Sequence, residues 1–147
     1  MIKKTSIIGL LFVYMFSYSQ KIVDDFNGDN IKDTLNYKCY RVGEIENIFD
    51  PTCKIKLRLG KTNKLYNFNL SYISYPVITN CGKGCISLYD DAKDTEYTQE
   101  YHYSKKYDDW ILTLDETLYN YQKGKIESNL SKNYKLGISG KKYRNSK

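Results

Sequence analysis

The chain has 147 residues, 41% of them hydrophobic, with 23 basic and 17 acidic side chains and a formal charge of +6. That length holds one domain with a single modest core. The basic residues form no stripe interleaved with stacking aromatics on a recognisable module, so a nucleic-acid partner is not expected.

In chain order, residues 1–19 read as a secretory signal. Lys3 and Lys4 precede a mostly apolar stretch over 7–16, and Ser17 and Ser19 supply small residues before a cut, making Gln20 the expected mature N-terminus. The apolar stretch falls short of the about 20 residues a membrane span needs. No cysteine stands near the cut to carry a lipid, so the mature chain is expected to be periplasmic or secreted, without stable membrane insertion. Cleavage leaves 128 residues at a net +4. The charge is uneven. Residues 20–122 hold 13 basic and 16 acidic groups, whereas residues 123–147 hold eight basic groups and one acid, Glu127. The expected organisation is therefore an acidic domain over 20–122 followed by a basic, solvated extension over 123–147.

Just past the cut lies Asp25-Phe26-Asn27-Gly28-Asp29-Asn30-Ile31-Lys32-Asp33. Side-chain oxygens at Asp25, Asn27 and Asp29, the Ile31 carbonyl and the Asp33 carboxylate have the spacing that wraps a hard cation, calcium. Gly28 permits a tight turn between ligands. The first nine positions resemble an EF-hand loop, with Asn30 where a glycine often lies, but the twelfth is Asn36 rather than a bidentate Glu, and a strand pattern follows instead of a helix. The stretch resembles the Asp-x-Asn-Gly-Asp-x-x-x-Asp loop of FG-GAP and VCBS-type β repeats. It also resembles single-copy use of that loop in small exported bacterial proteins of the lysozyme-inhibitor-like, immunity type. The resemblance implies calcium as a structural staple between strands and a partner that is a cell-wall hydrolase. The alternative is an Asx-rich turn that binds nothing.

Residues 34–40 and 53–59 alternate polar and apolar side chains, with Cys53, Ile55, Leu57 and Leu59 on one face and Lys54, Lys56 and Arg58 on the other. Gly60 ends the second run. Residues 65–70 and 72–75 predict further strand, stopped at Pro76, and residues 85–89 a short strand entering a polar turn over 90–94. Residues 96–103 and 110–114 predict a hairpin, with Tyr97, Tyr101 and Tyr103 on one face packing against Trp110 or its neighbours. A short helix is allowed after Asp115, against its Asn and Lys content. The expected fold is all-β, an antiparallel sandwich or barrel.

Four cysteines, Cys39, Cys53, Cys81 and Cys85, remain in an exported small domain and predict disulfides. Three connectivities are open. Cys39–Cys53 between two strands and Cys81–Cys85 across Gly82-Lys83-Gly84 are favoured over other pairings and over a zinc site, whose usual finger spacings are absent.

No catalytic signature stands out. The single histidine, His102, alternates to the face opposite Tyr101 and Tyr103, and the acid pairs Asp90/Asp91, Asp108/Asp109 and Asp115/Glu116 fall in or beside turns, where they are expected to be solvated. The expectation is a non-enzymatic protein that acts by binding. Of its sixteen tyrosines, the fourteen beyond the expected signal exceed what so small a core needs. One reading is an inhibitor that inserts the 81–85 loop into a peptidoglycan hydrolase, with Lys83 flanked by Gly82 and Gly84 facing catalytic carboxylates. The alternative is a glycan-binding or surface-adhesion module using tyrosine faces such as Tyr101 and Tyr103.

Overall fold

The computed structural model describes residues 19–44, 50–74, 76–120 and 124–144. The expected signal lies outside the described residues except for Ser19, as does Tyr75. Eleven strands occupy the described residues: β1 (Gln20–Asp24), β2 (Asp33–Tyr40), β3 (Thr52–Arg58), β4 (Leu65–Ser71), β5 (Pro76–Asn80), β6 (Cys85–Ala92), β7 (Thr95–Ser104), β8 (Asp109–Tyr119), β9 (Lys125–Ser128), β10 (Tyr134–Leu136) and β11 (Lys142–Arg144). They form three antiparallel sheets in sequence order: β1-β2-β3-β4, β5-β6-β7-β8-β9 and the hairpin β10-β11. The fold is all-β, a two-sheet sandwich built from meanders.

Its core follows from the period-2 patterns. Leu35 faces Leu57, Tyr37 faces Ile55, and Ile55 faces Phe68 on the inner side of the first sheet. Ile78, Ile86, Leu88, Tyr101 and Trp110 supply the opposing layer, and both sets belong to one buried cluster. Trp110 is completely buried, edge-on to Tyr66 at 5.0 Å and tilted against Tyr103 at 4.9 Å between ring centroids. Burying apolar area on this scale is the main favourable term of folding. Cys39–Cys53 joins register partners on β2 and β3, and Cys81–Cys85 closes the turn between β5 and β6. Two disulfides indicate an oxidising environment. Among the described residues, no helix is long and apolar enough to cross a membrane.

Four sequence expectations change. Pro76 opens β5 instead of stopping a strand; as the first residue of an edge strand it lacks no ladder hydrogen bond. β6 runs on through Asp90 to Ala92, so the turn narrows to residues 93–94. No helix follows Asp115, because β8 continues to Tyr119 against β7 and β9. A bulge makes this continuation workable. Glu100 pairs with Leu114 and Tyr101 with Leu112, leaving Thr113 unpaired and turning Thr117 into the interior.

Residues 124–144 are also built into the fold rather than solvated as an extension. β9 pairs with β8, Ile138 joins the core cluster, and the Ile138 amide donates to the Trp110 carbonyl at 2.7 Å. The β10-β11 hairpin is held by buried Asp109, whose Oδ2 accepts from Tyr143 Oη at 2.8 Å and from Ser139 Oγ, while Tyr107 stacks on Tyr143 at 4.3 Å.

Candidate functional site

The 25–33 loop is a nest of side-chain acceptors around backbone amides. Asp25 Oδ1 accepts from the amides of Gly28 at 2.7 Å and Asp29 at 3.1 Å, and its Oδ2 accepts from Asn30 at 2.8 Å. Asn27 Oδ1 accepts from the Asp29 amide at 3.1 Å, and Asp29 Oδ1 from the Ile31 amide at 2.9 Å. The chain reverses through left-handed backbone at Gly28 (φ 78°) and Asn30 (φ 67°), the residue types that tolerate it best.

Asp33 closes the loop from below. It is fully buried, with Oδ2 accepting from the Phe26 amide at 2.9 Å and Oδ1 from the Gly60 amide at 2.8 Å. Burial pushes its carboxyl above the ordinary value, backbone hydrogen bonds oppose that, and the neighbouring charges of Asp29 and Asp25 add to the rise. Gly60 can be nothing else here, since a Cβ would collide with the Lys32 carbonyl oxygen. The Trp110 indole donates to the Phe26 carbonyl at 2.5 Å, pinning the loop to the core.

The donor set of Asp25, Asn27, Asp29 and Asp33 is all hard oxygen, the chemistry calcium takes. Each carboxylate oxygen that accepts one amide keeps a further lone pair. Asp25 and Asp29 already raise the cost of a charge on Asp33, which a divalent cation would offset. The match is one of donor type and spacing along the chain, and Asp33 is the most deeply buried member of the set.

The second predicted loop sits against the first. Cys81–Cys85 closes it, the Cys85 amide donates to the Gly82 carbonyl at 3.0 Å, and Asn80 Oδ1 accepts from the Gly82 amide at 2.5 Å. The Gly84 amide donates to the Asp25 carbonyl at 3.0 Å, and the Tyr103 amide to the Gly84 carbonyl at 2.9 Å. Gly84 (φ 73°) is buried, and a Cβ there would stand 3.4 Å from the Gly28 nitrogen. The Lys83 stem crosses the first loop, its Cγ 3.8 Å from where a Gly28 Cβ would be. Gly82 and Lys83 are exposed. Two loops far apart in sequence thus form one composite surface, hydrogen-bonded to each other and anchored by Trp110.

Tyr101 and Tyr103, expected as partner contacts, are packing residues. Tyr101 is 4% exposed, donates to Gln99 Oε1 at 3.1 Å, and has its phenol pushed up by burial. Tyr103 is half-buried against Trp110, and its hydroxyl donates to Asp108 Oδ1 at 2.9 Å. Tyr66 donates to the same oxygen at 2.6 Å, and Lys64 pairs with Oδ2. The Lys64 ammonium, then the Tyr66 hydroxyl, hold Asp108 below the ordinary carboxylate range; burial, then Asp108, pushes both phenols up.

The acid pairs are not uniformly solvated. Asp90 and Asp109 are buried, Asp90 accepting from the amides of Ile73 and Ser74. His102 is exposed, with Nε2 3.4 Å from Cys85 Sγ and 3.9 Å from Glu100 Oε2. Cys81, Cys85 and Glu100 bring ligand atoms together, but the sulfurs are bonded to each other and offer no thiolate. Sequence reasoning missed Gly60, Trp110 as the loop's anchor, and the tyrosine-bound Asp108. Only the isolated Gly60 after a strand carried a signal.

Comparison with family models, with curated proteins and with solved structures finds no match to this chain.

Proposed function

We propose that this is an exported, calcium-stapled β protein that acts by binding a protein partner, as an inhibitor or immunity protein against a cell-wall hydrolase. One observation carries the reading: the disulfide-closed 81–85 loop is locked to the 25–33 loop and presents Lys83 and Gly82 to solvent. A loop fixed by a disulfide, two inter-element hydrogen bonds and a close glycine approach loses little further freedom on binding, which favours affinity. An ammonium on such a loop suits a cleft lined by catalytic carboxylates. Calcium at Asp25, Asn27, Asp29 and Asp33, with the Ile31 carbonyl, would hold the supporting loop in shape. The periplasm or the cell exterior supplies both the oxidising conditions and the hydrolase.

The mature, oxidised protein is tested in peptidoglycan-hydrolysis assays against muramidases, amidases and endopeptidases. Stoichiometric inhibition, weakened about 10-fold or more by Lys83→Ala, is the expected result for an anchor at the centre of an interface. Full hydrolase activity at micromolar protein across all classes contradicts the proposal.

A further inference from the structure

The outer face of the first sheet carries a cationic surface that the loop-borne contact does not use. Inter-strand register places Lys21, Asn36, Lys56 and Asn67 in one row across β1 to β4, and Lys38, Lys54 and Asn69 in the next. Arg58 stands in a flanking row between Thr34 and Leu65, and Tyr40 at the opposite end. All these residues alternate with the buried set, so they share the solvent face. Five cations occupy it, and no strand residue pointing this way is acidic. Residues 20–122 carry 16 acids against 13 bases, so the remainder of that segment holds twice as many acids as bases. With residues 123–147 counted, the rest of the chain from residue 20 onward holds 16 bases and 17 acids, so this face carries its net positive charge.

Two features show that the fold tolerates a cost here. Lys38 and Lys54 are direct cross-strand partners, a like-charge pairing that disfavours the sheet. Their ammoniums both lie over the Tyr40 ring, at 5.1 and 5.6 Å from its centroid, which softens the repulsion without removing either charge. Lys21, Lys54, Lys56 and Arg58 form no ion pair among the described residues. Lys21, Asn36, Lys56 and Arg58 also line a shallow concavity of about 500 Å³.

We infer that this face binds an extended acidic polysaccharide. Same-face residues along a strand are about 6.5–7 Å apart and strands about 4.8 Å apart, so Lys54, Lys56 and Arg58 form a line of charge with Lys21 and Lys38 beside it. A linear polymer with regularly repeated anions can engage several of them at once, which a single small anion cannot. Asn36, Asn67 and Asn69 supply paired donors and acceptors for sugar hydroxyls between the charges. Single-stranded nucleic acid fits less well, because the only ring among the described strand residues of this face, Tyr40, is already covered by two ammoniums and base stacking lacks a platform. An anionic membrane fits less well too, since among the described strand residues of this face the exposed large apolar groups are Val23 and Leu65, both at one end.

The test measures binding of the mature, oxidised protein to hyaluronan and to uncharged dextran at low and moderate salt. The variants are Lys54→Gln/Lys56→Gln, Lys141→Gln/Lys142→Gln on the C-terminal segment, and Lys83→Ala; melting temperature checks that each is folded. The expected result is salt-sensitive binding to hyaluronan and none to dextran. Lys54→Gln/Lys56→Gln should weaken it about 10-fold or more, at roughly one factor of several per charge, and the other two variants should leave it unchanged. The inference is overturned by no hyaluronan binding at low salt, or by a loss that follows Lys141 and Lys142 or Lys83 instead. It is equally overturned if anionic vesicles or oligo-dT bind more tightly than hyaluronan through Lys54 and Lys56.

Discussion

Asp33 and Gly60 hold the 25–33 loop from opposite sides, and neither is replaceable by a near neighbour. Asp33 satisfies two amides, one from its own loop and one 27 residues on. Asp33→Ala leaves both without a partner in a buried site, at about 1–3 kcal/mol each, so a loss of about 4 kcal/mol is expected in urea unfolding. Asp33→Asn keeps one acceptor and should lose about half of that. Gly60→Ala sets a methyl against the Lys32 carbonyl, where only a backbone shift gives relief, and should cost about 3 kcal/mol. Gly137 has the same character. A Cβ there would strike Asp109 Oδ2 and sit 2.9 Å from Tyr143 Cε2. The carboxylate cannot swing aside without abandoning Tyr143 and Ser139.

Elements were more legible than the contacts between them. Residues 53–59 announced their strand through Cys53, Ile55 and Leu57 alternating with Lys54, Lys56 and Arg58, and the structure places those sets inside and outside. The β7-β8 hairpin and both disulfides were legible for similar local reasons. What binds element to element was not. Asp90 and Asp109 carry turn-like sequence, yet their donors come from Ile73, Ser74, Ser139 and Tyr143, which local pattern cannot indicate. The docking of Gly84 on Asp25 likewise arises only when the two sheets pack. Two predictions belong at this scale. Replacing Cys39 and Cys53 by serine should cost about 3 kcal/mol, from the loop entropy of a link of this span. Asp109→Ala should release β10-β11 first, seen as loss of amide-exchange protection at Gly137 and Ile138 while β2 and β3 stay protected.

At the scale of the whole molecule, tyrosines govern the alkaline limit. Burial raises the phenols of Tyr37, Tyr66, Tyr72, Tyr101 and Tyr103. A raised folded-state pKa means the folded chain favours the neutral ring, so that stability is complete below about pH 10 and is lost as pH rises beyond it. Tyrosinate absorbance should therefore show a fraction of the rings ionising only together with alkaline unfolding. Asp108 works in the opposite direction. Its lowered carboxyl adds a modest stability that is present above about pH 4 and fades on further acidification, tempered by its exposure to solvent.

Whether the composite of two loops is organised around calcium decides how the rest is understood. The most direct measurement is thermal unfolding of the mature, oxidised protein at neutral pH, with millimolar calcium and with a chelator. With a dissociation constant near 10 μM, calcium would add about 2.7 kcal/mol, raising the melting temperature by about 10 °C, and Asp29→Ala should abolish the difference. Identical melting temperatures in the two conditions would make the 25–33 loop a self-satisfied turn and contradict calcium as the staple of this fold.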